Sequence, residues 1–261
     1  MAVDSHSGLS IGTRRSPRVT VFVHDYAVAK AVARRIADLV SKTPRVVLGL
    51  PTGRTPIGLY RELVSLHRHG VDFSQVTTFN LDEFLGIPAN HPGSYQSFME
   101  QHLFSHVNIK PENRHFLNGN TADPDAECLR YERAIEDAGG IDLQLLGIGT
   151  NGHIGFNEPA RELVGPTHRV TLTASTRRSN AALFGGDPKD VPAEALSMGM
   201  ATILKARRIV LIATGKSKAR CVDLMVNGPI TTKLPASFLQ LHRDVELMLD
   251  QEAAKQLAVR S

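Results

Sequence analysis

Tryptophan is absent from this 261-residue chain, and only two cysteines, four tyrosines and ten phenylalanines are present. A nucleic-acid partner would need a basic stripe or an aromatic stacking platform. Aromatics this sparse supply no such platform, so no nucleic acid is expected. The lysines and arginines are scattered and leave a net charge of +4, which fits either a solvated surface or a pocket for an anionic small molecule. Cys128 and Cys221 lie outside any C-x-x-C spacing, so ordinary packing in a reducing, cytoplasmic setting is expected of both. No apolar stretch is long enough to span a bilayer, and no membrane partner is expected. The first 17 residues, MAVDSHSGLSIGTRRSP, are polar and lack a signal-peptide core. They read as a disordered extension or an expression remnant, which leaves 18–261 as one domain.

What is present is a strict alternation. VTVFV (Val19 to Val23) predicts a strand, and Asp25 then caps a helix with apolar residues at helical spacing. RVVLGL (Arg45 to Leu50) predicts a second strand, followed by a helix from Pro56 to His69 with Gly70 at its exit. VTTFNL (Val76 to Leu81) is the third strand, and helical segments follow around Ser94 to Val107 and Ala122 to Ala138. IDLQLLGIG is the fourth strand. RIVLIATG (Arg208 to Gly215) is the fifth and leads into a helix ending near Gly228, before VELMLD and QEAAKQLA close the pattern. Continuous apolar strands alternating with helices predict a doubly wound, mostly parallel α/β sheet, Rossmann-like, with helices on both faces.

The unusual polar residues follow these strands. PTGRT comes after the second, DEF after the third, TNGHIGFNEP after the fourth and GKSKA after the fifth. The carboxyl ends of parallel strands share one edge, so these loops are expected to converge on one crevice. GIGTNG at Gly147 to Gly152 matches G-x-G-x-x-G, but that fingerprint requires a helix opening on its last glycine and an acid about 20 residues on. Gly155 and Pro159 disfavour the helix, and the acid is missing. GKS at Gly215 fails as a Walker loop because Val210 stands where the earlier glycine belongs.

What remains is His153 with Glu158, either satisfying loop hydrogen bonds or forming an acid/base histidine set by a carboxylate. A metal is disfavoured because no second histidine stands at ligand spacing. Asp82 and Glu83 are either turn residues or a partly desolvated base. Thr52, Gly53, Arg54 and Thr55 precede a helix start, and Lys216, Ser217 and Lys218 form a comparable set. A plain N-cap explains Thr55 equally well, yet two helix-start anion sites on one edge favour a phosphorylated ligand.

Taken together, LGLPTGRTPIGLY, TTFNLDEFLGIPANHPGSYQSFM, LGIGTNGHIGFNEP and ALSMGMATIL, with the later GKSKA, resemble the glucosamine-6-phosphate deaminase family, the nagB-type glucosamine/galactosamine-6-phosphate isomerases. The resemblance runs in order from about Arg18 to near the C-terminus. It implies a cytoplasmic enzyme of amino sugar and carbohydrate metabolism, in N-acetylglucosamine catabolism, converting glucosamine 6-phosphate and water to fructose 6-phosphate and ammonia. By the same resemblance Asp82 is the base that moves a proton between C2 and C1, and His153 assists ring opening. Glu158 orients that histidine, and Asn151 beside it completes the catalytic set. Arg177, Lys218 and the turn Thr52, Gly53, Arg54 and Thr55 contact the phosphate, and Leu163 to Phe184 form a mobile lid. No cofactor and no metal are expected. The one partner is a small-molecule sugar phosphate, and a homo-oligomer is allowed but not fixed.

Three positions depart from the family pattern. Asn151 replaces an aspartate found in some members, so a different pH optimum is expected. Arg54 stands at a position that is small in some relatives. The basic pair of the allosteric site falls on His168 and Val170, so allosteric activation does not carry over. Two alternatives remain at this stage: a 6-phosphogluconolactonase-like hydrolase, and a non-catalytic sugar-phosphate-sensing domain, which would usually carry an N-terminal helix-turn-helix.

Overall fold

The computed structural model describes residues 17–257, so the expected N-terminal extension lies outside the described residues apart from Pro17. Among the described residues the chain runs β1 (Arg18–Phe22), α1 (Asp25–Lys42), β2 (Val47–Leu50), α2 (Thr55–Arg68), β3 (Thr77–Asn80), β4 (Asp82–Phe84), α3 (Tyr95–His102) and β5 (Arg114–His115). It continues through α4 (Pro124–Asp137), β6 (Leu143–Leu146), β7 (His168–Thr171), α5 (Ala174–Asn180), β8 (Glu194–Ser197) and α6 (Met200–Leu204). The last elements are β9 (Arg208–Ala213), α7 (Ala219–Asn227), β10 (Val245–Asp250) and α8 (Gln251–Ala254).

Seven strands form one sheet in the order β1-β10-β9-β6-β2-β3-β5, and every pairing in it is parallel. The doubly wound α/β expectation is met. Period-two alternation divides the strands between two cores. Leu48, Leu50, Leu143 and Leu145 join α1 and α2 on one face, while Val47, Phe79 and Leu146 join α4 and α7 on the other. In α1, Val28, Val32, Ile36 and Val40 recur every four residues and are buried against the sheet. Each such side chain contributes about 1.5–3 kcal/mol relative to exposure, so helix and sheet form together.

The chain passes outward through β2, β3 and β5, then returns to lay β6 on the other flank of β2. That reversal opens a crevice at the carboxyl ends of β2 and β6.

Several boundaries differ from expectation. His24, rather than Asp25, caps α1, its Nδ1 accepting from the Ala27 N–H at 3.1 Å. The helix expected to reach Val107 ends at His102, because Leu103 takes φ −139° and a 3-10 turn follows. The fourth strand is confined to Leu143–Leu146. A second sheet, β4-β8-β7, was not expected at all. It is antiparallel, places Asp82 opposite Ser197, and covers a third core of Phe84, Tyr95, Phe156, Leu172 and Phe184. The stretch expected to be the lid contains β7 and α5.

Candidate active site

Only Leu81 separates the parallel sheet from the antiparallel one, and its backbone serves both. Its N–H donates to Leu50 and its carbonyl accepts from Met198, at 3.1 and 2.9 Å. Asp82 is therefore fixed at the carboxyl edge of β3, 6% exposed. Burial first, then the neighbouring Glu83, push its carboxyl up to about 8. Three buried phenols lie within its field. The Tyr60 hydroxyl donates to the Pro51 carbonyl, and that of Tyr131 donates to the carbonyl of Asn80 at 2.6 Å. Tyr95 is raised by burial and then by Asp82 and Glu83, with a Thr52 hydrogen bond opposing. Glu83 itself accepts from the N–H groups of Phe84, Tyr95 and Gln96 at 2.8, 2.9 and 2.9 Å. Burial raises it to about 7 against those three donors, and it pins β4 to the start of α3.

The glycines after β6 have a steric purpose. A Cβ on Gly149 would lie 2.2 Å from the His153 ring, so only glycine lets the imidazole lie on this turn. Gly155, at φ +57°, sits where a Cβ would meet the Ser197 Oγ at 3.1 Å and Asp82 Oδ2 at 3.2 Å. The loop is thereby packed onto the carboxylate, and the Phe156 N–H donates to Ser197 Oγ at 3.2 Å. Irregular chain, not a helix, follows Gly152, so the six-letter match binds no pyrophosphate in the manner of a dinucleotide fold.

Asn151 sits between His153 and Glu158. Its Oδ1 accepts from the His153 backbone N–H at 3.2 Å and lies 2.7 Å from Nδ1, while its Nδ2 donates to Glu158 Oε2 at 2.7 Å. With the amide oriented by Glu158, Nδ1 carries the proton and Nε2 is left to exchange one. Glu158 Oε1 is 3.5 Å from Nδ1 and also accepts from the Thr176 hydroxyl at 2.8 Å. Burial pushes this carboxyl up, but the His153 hydrogen bond and charge, with Asn151 and Thr176, bring it down to about 2. It is an anion across the working range.

The expected anion residues fall on both sides of this group. Thr52, Gly53, Arg54 and Thr55 form the turn from β2 into α2; Arg54 is the N-cap and makes no side-chain cap bond. The N-cap role considered for Thr55 is thus corrected, since it is already the first helical residue. Lys218 caps α7, half-buried, with its ammonium pKa lowered by burial. The Cys221 thiol donates toward the carbonyls of Gly149 and Lys218 at 3.2 and 3.1 Å, which ties the histidine loop to the start of α7. Cys128 is buried in the α4 core. Arg177, on α5, donates from Nε and Nη2 to the carbonyls of Val191 and Lys189 at 3.1 and 3.0 Å, so it is partly engaged by backbone. His168, through Nδ1, bonds the Pro166 carbonyl and Val170 packs on the third core. Among the described residues, no group of three or more His, Cys, Asp or Glu side chains is gathered to hold a metal. Likewise, no helix there is long and apolar enough to cross a membrane.

Ser197, Tyr95 and Thr176 were not singled out in the sequence. Each joins the group through a partner distant along the chain, and no local spacing announces it.

A doubly wound α/β fold with a buried carboxylate and a carboxylate-linked imidazole at its switch-point edge is a framework suited to acid/base isomerisation or hydrolysis of small molecules. The particular family is shown by comparison: residues 24–248 match the model of glucosamine-6-phosphate isomerases/6-phosphogluconolactonase, and the chain belongs to that family. It is 50% identical over 241 residues to a glucosamine-6-phosphate deaminase of Halothermothrix orenii, covering 92% of this chain and all of the relative. It is also 52% identical over 225 residues to glucosamine-6-phosphate deaminase 1 of Giardia intestinalis, 86% of this chain and 85% of that one. Among solved structures it superposes on a monomeric glucosamine-6-phosphate deaminase with a TM-score of 0.88 at 44% identity, covering 92% and 99% of the two chains.

Proposed function

We propose that the protein converts D-glucosamine 6-phosphate and water to D-fructose 6-phosphate and ammonia. The observation that carries this reading is the joining of buried Asp82 and the His153–Asn151–Glu158 group through Gly155 and Ser197, in a chain half identical to deaminases over most of its length. The phosphate is held by the Thr52 to Thr55 turn, whose following helix directs N–H groups outward, together with Lys218 and Arg177. His153, protonated on Nδ1, uses Nε2 to move the proton between the anomeric hydroxyl and the ring oxygen, which opens the pyranose. Asp82 then takes the proton from C2 and returns it to C1. In that transfer the C2 ammonium gives one proton to the C1 carbonyl oxygen, so C1 becomes a hydroxymethyl carbon and C2 an iminium; water adds at C2, the C2–N bond breaks, and C2 becomes the ketone as ammonia leaves and a proton passes to solvent.

The raised pKa of Asp82 suits this cycle. A carboxyl held near 8 by burial loses its proton readily once the substrate ammonium enters beside it, because a nearby cation favours the carboxylate. Burial acts in the opposite sense to that cation and keeps the carboxylate more basic than that of an exposed aspartate. No cofactor enters the scheme. The free, buried cysteines fit a reducing cytoplasm, and we assign the protein there.

Ammonia release from glucosamine 6-phosphate by purified protein tests the reading. None above buffer between pH 6 and 9 rejects it, and hydrolysis of 6-phosphogluconolactone in its place establishes the lactonase alternative. Solved 6-phosphogluconolactonases 17–21% identical share the fold, and sharing it favours neither chemistry. Gel filtration decides whether the chain self-associates.

A further inference from the structure

We propose that Thr176 is a positioning residue: its hydroxyl ties helix α5 to Glu158 and so couples the seating of that helix to the orientation of the acid/base histidine. The inference rests on the deaminase reading and adds a residue to it.

The hydrogen bonds run in one direction. Glu158, an anion, only accepts, so the 2.8 Å contact from Thr176 Oγ1 to Oε1 uses the single proton of that hydroxyl. Thr176 Oγ1 can then only accept from Thr173 Oγ1, 2.9 Å away. Thr173 Oγ1 in turn lies 2.8 Å from Ser175 Oγ and accepts from the Thr176 backbone N–H at 3.1 Å as the N-cap of α5. The hydroxyls that start the helix are therefore the ones polarised toward Glu158. The carboxylate is held at both oxygens, Oε2 by Asn151 and Oε1 by Thr176, and His153 is the titratable group that faces it. Thr176 is buried although α5 lies at the surface, and the next residue, Arg177, reaches Val191 and Lys189. One helical turn thus carries a proposed phosphate ligand and a tether to the proton shuttle. Displacing α5 leaves Glu158 with one fixed oxygen and frees it to turn away from Nδ1.

Thr176→Val in the full chain keeps the shape and removes the donor, and Thr176→Ser restores it. Losing a hydrogen bond to a charged group at this distance is expected to lower kcat about tenfold, with KM for glucosamine 6-phosphate changed by about twofold or less. Thr176→Ser is expected within about twofold of the original. A readout independent of turnover is the 15N imidazole spectrum of His153 at neutral pH. It is expected to show one Nδ1-protonated tautomer in the original protein and in Thr176→Ser, and a mixture in Thr176→Val. If Thr176→Val does not fold, Thr176→Ala carries the same expectation. An unchanged tautomer and an unchanged kcat in the donor-free variant overturn the role of Thr176. Absence of ammonia from the original protein overturns the deaminase reading instead, and the spectrum still reports on the tether.

Discussion

The amide of Asn151 donates to the carboxylate of Glu158 at 2.7 Å. An aspartate at 151 would instead face Glu158 with a like charge. Asn151→Asp is therefore expected to raise the Glu158 carboxyl from about 2, by roughly one unit for a lost donor and an added anion. A carboxylate whose pKa is depressed acts as an anion above that pKa and fails as pH falls through it. The acid limb of the ammonia-release profile should accordingly move to higher pH in the variant, read from kcat measured across the acid range. An identical acid limb would show that the two side chains are uncoupled.

Asp82→Asn should retain sugar-phosphate binding and lose turnover about a hundredfold or more, the usual range for removing a positioned base. Its stability should change in a pH-dependent way. A carboxyl raised from 3.8 to about 8 binds a proton in the folded state that the unfolded chain has released. That contribution is present in full below 3.8 and is lost as pH rises to about 8. Between pH 5 and 8 the original protein should lose at least about 2 °C of Tm more than Asp82→Asn does, by differential scanning calorimetry. Parallel curves would place the pKa of Asp82 near its ordinary value.

Gly149→Ala tests the close approach of the histidine ring to the backbone. A Cβ 2.2 Å from His153 forces the ring or the turn aside, and a displacement of about 1 Å at a reacting group can reduce turnover about a hundredfold. Circular dichroism should remain that of the folded protein while kcat falls by that order. Full activity would mean that the ring does not work from this position.

How much of this was legible in the sequence follows from distance along the chain. Leu48, Leu143 and Ile209 sit in apolar runs broken by glycine and proline, so the parallel sheet and the crevice at its edge could be read directly. His153 and Glu158 share one loop, and Asp82 follows its own strand. The small sheet could not be read, because HRVT and EALS are four residues each and become strands only by pairing across β8, with Asp82 meeting Ser197. The caps were misplaced for a related reason. His24 and Asp25 are both able to accept from a first-turn N–H, and the chain's entry angle selects His24. Glu158 was expected to orient His153, and its Oε1 does lie 3.5 Å from Nδ1; the amide of Asn151, bonded to both, depends on a turn that spacing does not describe.

The phosphate side of the site gives the last expectation. Lys218 has its ammonium pKa lowered by burial, so it gives up its charge at a lower pH than an exposed lysine and should weaken phosphate binding as the solution becomes alkaline. Lys218→Met should raise KM for glucosamine 6-phosphate about tenfold or more, the loss typical of one charge-assisted hydrogen bond, with kcat within about threefold. The rise in KM on the alkaline side should disappear in the same variant, since the titrating cation is gone. Arg177→Met provides the contrast: its guanidinium also holds the carbonyls of Val191 and Lys189, so this variant should raise KM and lower Tm together, whereas Lys218→Met should leave Tm within about 2 °C. Steady-state kinetics across alkaline pH, paired with thermal melts of both variants, separates a residue that binds phosphate from one that also builds the site. An unchanged KM in Lys218→Met would remove that lysine from the phosphate and leave the α2 turn as its principal holder.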